Sequence, residues 1–268
     1  MILPKEVERK LRRVLREQRQ QAKLLTHALP PRAKVLLVGP PGSGKTMSTR
    51  ALAGELRLPL FTILLDGLIT KFMGETAAKL RLVFDAIRET RGVYLFDEFD
   101  AIGGQRTLMN DVGEIRRVLS SFLHFLEDAE PTSVIVAATN HPDLLDPALF
   151  RRFDDVIEYS LPTEELARKA FRSRLQGLDT SDVDWQSVVG AAKASSFADI
   201  VKACEDAAKE AILGDTDVVT TETLLRALED RRGVRGRRAA SRWRADPAAL
   251  PIGPRGVSAE TSLRRLSQ

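Results

Sequence analysis

Residues 39–46 read GPPGSGKT and fit the spacing GxxxxGK[ST]. This segment suits phosphate binding, because its glycines let successive backbone N–H groups curl around phosphate oxygens and the following helix directs its positive end at them. Lys45 is predicted to contact the β- and γ-phosphates and to act in catalysis, and the Thr46 hydroxyl is predicted to bind Mg²⁺. The predicted nucleotide-binding residues of this segment are Gly39, Pro40, Pro41, Gly42, Ser43, Gly44, Lys45, Thr46 and Met47.

Two acidic residues, Asp97 and Glu98, follow the apolar run 94–96. A strand would deliver both carboxylates at its carboxyl end, beside the phosphate-binding segment. Asp97 is predicted to hold Mg²⁺, and Glu98 to orient and deprotonate the attacking water. The two motifs together predict an enzyme that hydrolyses ATP with Mg²⁺ as cofactor.

Short apolar runs bounded by turn residues alternate with helical patterns up to Pro162. The predicted strands are 34–38, 60–64, 93–96, 133–137 and 156–159. This alternation predicts the α/β class, a parallel-sheet P-loop NTPase core with helices on both faces. The pattern after Pro162 is wholly helical and predicts a small C-terminal helical lid domain. Its predicted helices are 164–175, 183–192, 196–213 and 220–230.

Four regions are expected along the chain: an N-terminal helix or linker (1–30), the ATPase domain (31–162), the lid (163–230) and a basic tail (231–268). The apolar spacing over 5–26 predicts an amphipathic helix. Two roles remain open for that helix, either packing on the main domain or serving as a linker or partner-binding helix. The tail lacks apolar periodicity and is predicted to be mostly disordered.

The basic charge of the chain is concentrated in the tail. The net charge is +4 at pH 7, but residues 231–268 contain ten arginines against Asp246 and Glu260, a net of +8, so the rest carries −4. A nucleic-acid-binding face on the folded body is therefore not supported by charge, and any binding of nucleic acid would be through the basic tail alone.

The remaining composition predicts a cytoplasmic protein that does not enter a membrane. No apolar run approaches the ~18–20 residues that a membrane span needs, and residues 1–6 lack a signal-peptide pattern. Cys204 is the one cysteine and lies in a helical pattern, which indicates a reducing compartment and a small buried side chain.

Over residues 30–230 the chain resembles the AAA family of ATPases. Residues 39–46 resemble its phosphate loop, 96–100 (FDEFD) its acidic strand end, and 138–140 (ATN) its sensor segment. The resemblance implies that Asn140 positions the attacking water near the γ-phosphate.

The segment 145–154, LDPALFRRFD, resembles the arginine-finger region of this family. The resemblance implies that Arg151 or Arg152, with Arg152 favoured, enters the neighbouring subunit's site and stabilises transition-state charge there. Such a role requires an oligomer. The chain departs from one common family pattern because Asp155 stands where a second arginine follows the RFD triplet.

Residues 71–75, KFMGE, resemble the first pore loop of protein-threading members. The resemblance implies that Lys71, Phe72 and Met73 contact a substrate polypeptide, and an aromatic and a thioether side chain suit contact with any sequence. Residues 110–117 resemble the second pore loop and the helix after it. There Glu114, Arg116 and Arg117 are either inter-subunit contacts or a solvated helix start.

Residues 195–200, SSFADI, resemble the family segment that borders the adenine, with Phe197 in place of the usual glycine. Phe197 and Ala198 are therefore predicted to bind the nucleotide, Phe197 as a tighter apolar wall.

The leading hypothesis is a hexameric AAA ring of identical subunits that uses ATP to unfold, remodel or thread protein substrates. Because residues 1–30 leave no room for a sizeable recognition domain and no protease motif is present, a separate protease or partner enzyme is the expected partner. One alternative is an ATP-dependent nucleic-acid loader or transposition helper, which the tail favours weakly. The other is a nucleotide-controlled assembly switch acting on a partner enzyme.

Overall fold

Five strands form one parallel sheet in the order β2-β3-β4-β1-β5 in the computed structural model of the chain. The structure describes residues 1–65, 75–100, 112–129 and 132–232. The strands are β1 (Lys34–Val38), β2 (Leu60–Leu64), β3 (Val93–Asp97), β4 (Val134–Thr139) and β5 (Asp155–Glu158). Since neighbouring strands are parallel, their carboxyl ends meet at one edge, and the ends of β1, β3 and β4 lie side by side there. The predicted fold class is confirmed.

Helices cover both faces of this sheet and are the main elements of the described residues after β5. They are α1 (Lys5–Arg19), α2 (Gln21–Leu25), α3 (Lys45–Leu56), α4 (Glu75–Glu89), α5 (Val112–Asp128), α6 (Pro147–Phe150), α7 (Glu164–Arg174), α8 (Trp185–Ala191), α9 (Phe197–Leu213) and α10 (221–232). Among the described residues, none of these helices has the length and apolar character that crossing a membrane would require.

The central strands are buried on both faces, and alternate residues contribute to two different apolar clusters. In β1, Leu36 and Val38 pack with α4 and α5, whereas Val35 and Leu37 pack with α1 and α3. This two-sided burial explains why the strands read as continuous apolar runs instead of alternating ones.

Phenylalanines pack tightly beneath the acidic end of β3. Phe96 and Phe99 are fully buried and flank Asp97 and Glu98 in the chain. Phe122 of α5 lies with its ring centroid 5.2 Å from that of Phe96 and 4.8 Å from that of Phe99. The two carboxylates therefore project from a rigid part of the core.

Residues 1–228 form one compact unit, and 229–232 are the described part of a second. The helices after β5 share an apolar cluster that includes Phe171, Ile200 and Cys204. Cys204 is fully buried, as its helical pattern predicts, and burial raises the pKa of its thiol to about 12.

The predicted helix over 5–26 is divided at Gln20 into α1 and α2. No glycine or proline marks this break in the sequence. Tertiary contacts accompany it, since Arg19 donates to the Glu55 carbonyl oxygen at 2.6 Å and Glu17 accepts from the Arg32 backbone N–H at 2.9 Å. Helix α1 packs on the main domain, which is the first of the two roles left open for it.

The region boundaries at 30/31, 162/163 and 230/231 stay predictions. Residues 233–268, which include nearly all of the basic tail, lie outside the described residues.

Candidate nucleotide site

The turn between β1 and α3 depends on glycines that adopt left-handed backbone angles. Gly39, Gly42 and Gly44 have φ values of 145°, 75° and 105°. A Cβ on Gly39 would lie 2.3 Å from the Tyr159 carbonyl oxygen, and one on Gly42 would lie 2.5 Å from Ser196 Oγ. Side chains at these two positions are therefore excluded by both conformation and space.

Lys45 begins α3 and is almost completely buried at the centre of the site. Its ammonium donates to the Gly39 carbonyl at 2.7 Å, the Pro40 carbonyl at 3.1 Å and Asn140 Oδ1 at 2.8 Å. Burial lowers the pKa of Lys45, and the carboxylates of Asp97 and Asp100 oppose that shift. One positive charge thus links the phosphate loop to the end of β4.

Thr46 and Asp97 are 51 residues apart in sequence but adjacent in the structure. The Thr46 hydroxyl donates to Asp97 Oδ2 at 2.9 Å. Glu98 is exposed and has a φ of 52°, in the left-handed region that favours glycine, while its N–H donates to Asp97 Oδ1 at 3.0 Å. At this turn the chain leaves β3. A positive φ at a residue other than glycine is a strained backbone conformation, and such conformations cluster at functional sites.

Asp100 has a positioning role that was not predicted from the sequence. Its Oδ1 accepts from Thr139 Oγ1 at 3.0 Å and from the Asn140 backbone N–H at 3.2 Å. Asp100 therefore fixes the end of β4 and, with it, the Asn140 side chain that accepts from Lys45. The fifth position of FDEFD is the signal that could have identified it.

A cavity of about 590 Å³ opens over the loop 41–47 and reaches Asp97, Glu98 and Asn140. Phe197 and Ala198 line its other side, at the start of α9, and Phe197 also packs against the apolar cluster of the helical region. The Ala198 N–H donates to the Gly42 carbonyl at 3.1 Å, which ties α9 to the loop. The predicted nucleotide-binding residues from 41 to 47 thus line one cavity, and Gly39 and Pro40 supply the carbonyls behind it.

Several residues of the cavity wall have no motif in the sequence. They are residues 1–3, Arg50, Ala170, Ser173, Arg174, Val201 and Lys202. Arg174 and Lys202 come from α7 and α9 and both contact Glu205, at 2.8 Å and 3.0 Å. The position of Arg174 and Lys202 in the cavity wall depends on how α7 packs against α9, and no local sequence pattern predicts that packing.

The residues of this cavity fit ATP and Mg²⁺. The Ser43 hydroxyl is buried in the loop and has no hydrogen-bond partner among the described residues. The oxygens of Thr46 and Asp97 are the hard ligands that Mg²⁺ prefers. A volume of about 590 Å³ lies within the range of small-molecule sites.

Arg151 and Arg152 follow α6, are exposed and do not belong to the described residues that line this cavity. Arg152 forms an ion pair with Glu127 near the end of α5. The structure therefore does not bring either arginine to the site of its own subunit.

The pore-loop predictions at Lys71, Phe72 and Met73 lie outside the described residues. The same holds for the side chains of Glu114, Arg116 and Arg117, although their backbone belongs to α5.

Comparison with known proteins agrees with this geometry. The model of the family described as "ATPase family associated with various cellular activities (AAA)" matches residues 35–161. An uncharacterized AAA family ATPase of Sinorhizobium fredii is 35% identical over 217 residues, which cover 81% of this chain and 66% of the relative.

Two further relatives have proteasomal names. The proteasome-activating nucleotidase of Methanopyrus kandleri is 37% identical over 208 residues, 75% of this chain and 48% of the relative. The 26S proteasome regulatory subunit S10B homolog B of Arabidopsis thaliana is 32% identical over 225 residues, 81% of this chain and 56% of the relative. The chain thus spans about half to two thirds of the length of these curated relatives.

Proposed function

We propose that the chain, which belongs to the AAA family, hydrolyses ATP and works as a ring of six identical subunits. This ring couples ATP hydrolysis to unfolding or remodelling protein substrates. The proposal rests mainly on one observation, that some of the predicted catalytic groups line the cavity of the subunit and others do not. The described cavity contains groups for phosphate, metal and water, whereas Arg151 and Arg152 lie outside it.

Each group within the cavity has a defined task in this proposal. Lys45 binds the β- and γ-phosphate oxygens, and Asn140, held by Asp100, orients the water that attacks the γ-phosphate. Glu98 accepts the proton of that water. Thr46 and Asp97 hold Mg²⁺, which supplies neutralisation of the charge that develops on the phosphate oxygens.

The arginines complete a neighbouring site. Arg152 lies on an exposed turn, which suits a group that acts on the next subunit. A head-to-tail contact of this type closes into a ring when every subunit supplies an arginine to the next one. Hydrolysis in one subunit is then linked to the position of its neighbour.

Protein is the proposed substrate, and a proteasome-like protease in a separate chain is the proposed partner class. The proteasomal names of two relatives and the likeness of residues 71–75 to a threading loop support this choice. In the proposal Phe72 grips the polypeptide as the ring changes shape.

We expect Phe72→Ala to spare basal ATP hydrolysis and to reduce unfolding of a protein substrate more than about tenfold, because the apolar contact with the polypeptide is lost. The measurement is the decay of fluorescence of a tagged, folded reporter protein beside phosphate release. Phe72→Tyr, which keeps the ring, is the matched control and should retain most unfolding. Unfolding by Phe72→Ala at the wild-type rate would overturn the threading role while leaving the ATPase assignment intact.

A salt titration of DNA binding distinguishes the nucleic-acid loader from the proposed protein-unfolding ring. Tail-dependent binding whose affinity falls steeply with salt, together with DNA-stimulated hydrolysis, would favour a loader. The assembly-switch alternative is separated by the same unfolding assay, since a switch needs nucleotide binding but no unfolding of its partner.

A further inference from the structure

Asp155 stands at the position where one common AAA pattern has a second arginine, and the structure shows what the acid does there. Its side chain is only 11% exposed at the start of β5. Lys10 of α1 lies 3.3 Å from Oδ1, and the Arg32 guanidinium lies 3.9 Å from Oδ2. A nearly buried carboxylate requires such cations, because an unpaired charge is costly to remove from water.

Lys10 makes a second contact with the same strand. Its ammonium donates to the Val156 carbonyl at 2.6 Å, so one side chain of α1 holds both the side chain of residue 155 and the backbone of residue 156. The helix itself is fixed to the core by the fully buried Val14 and the nearly buried Val7. Lys10 therefore extends from a well-anchored helix.

The turn with the two arginines is directly connected to this contact. Asp154 accepts from the backbone N–H groups of Ala33 and Lys34, both at 2.8 Å, and Phe153 is buried in the core. Arg151 and Arg152 lie between α6 and these held residues and are exposed, as Asp154 is.

We propose that Lys10 and Asp155 are positioning residues for the trans-acting arginine, so that α1 belongs to the hydrolysis machinery of the neighbouring subunit. This inference rests on the proposed action of Arg152 in trans. Because residue 155 is an aspartate in this chain, the position offers the neighbouring subunit no second positive charge. It fixes the base of the turn to α1 and thereby sets the backbone position from which Arg152 extends, and in the isolated subunit that side chain pairs with Glu127.

The test compares variants of the 268-residue chain. Lys10→Met keeps the length of the side chain and removes its charge, and we expect turnover to fall about 10- to 100-fold, the effect of misplacing a catalytic group by about 1 Å. ATP affinity and the mass of the assembly with ATP should not change. Lys10→Arg should retain turnover, and Arg12→Met, on the exposed side of the same helix, is the matched control.

A double-mutant cycle separates positioning from general stability. If Lys10 acts through Arg152, Lys10→Met causes no further loss in the Arg152→Ala background. An additive loss, or unchanged turnover in Lys10→Met alone, would overturn the inference. Normal turnover in both Arg151→Ala and Arg152→Ala would instead overturn the trans-acting arginine itself, so the two failures are distinguishable.

Discussion

Lys45→Ala is expected to abolish nucleotide binding. Lys45 is 6% exposed, and its ammonium donates to three acceptors at the centre of the site, Gly39, Pro40 and Asn140. Hydrogen bonds to charged groups contribute about 1.5–3 kcal/mol each, so loss of the contacts to two phosphates should weaken ATP binding at least about 100-fold. Titration of a fluorescent ATP analogue measures this loss, and the stabilisation that ATP gives against thermal unfolding should disappear with it.

Lys193→Ala is the matched control, because Lys193 is a lysine on the exposed surface of the helical region. It should bind ATP like the wild type. A Lys45→Ala protein that folds and binds ATP with unchanged affinity would show that residues 39–46 are not the phosphate loop.

The second large effect is expected at Arg152. Arg152→Ala should lower turnover by about 10³- to 10⁵-fold, the contribution of an arginine finger, and leave ATP binding by isolated subunits intact. Arg151→Ala should cost less. Phosphate release at saturating ATP is the measurement.

Mixing two inactive variants tests whether the arginine acts in trans. Glu98→Gln subunits keep Arg152 but lack the general base, and Arg152→Ala subunits have the reverse defect. In a random equal mixture about a quarter of the interfaces pair an intact Glu98 with an intact Arg152 of the neighbour. Recovered activity is therefore expected. A mixture as inactive as its components would place the arginine in its own subunit's site or outside catalysis.

The sheet could be predicted because its central strands β1, β3 and β4 are buried on both faces. Each apolar run of five or so residues was bounded by turn residues, and the structure places strands there within two residues. The phosphate loop and the pair Asp97–Glu98 were predictable for a different reason. Binding phosphate and Mg²⁺ demands particular residue types at fixed spacing within each motif. The structure then brings the two motifs together, with Thr46 Oγ1 2.9 Å from Asp97 Oδ2.

Contacts between distant segments were not predictable from one sequence. Lys10 and Asp155 are 145 residues apart, and neither belongs to a motif that pairs them. Asp100 was visible in FDEFD, yet its hydrogen bonds to the end of β4 depend on the parallel pairing of β3 with β4. The break at Gln20 likewise follows from tertiary contacts and not from local propensity.

The shared active site is tested most directly by the mass of the Glu98→Gln protein in solution with and without ATP. Loss of the general base Glu98 should slow hydrolysis about 100-fold or more, so that bound ATP persists. We predict a shift to the mass of six subunits when ATP and Mg²⁺ are added. A protein that binds ATP and remains a monomer would contradict the ring and the role of Arg152 in the neighbouring site.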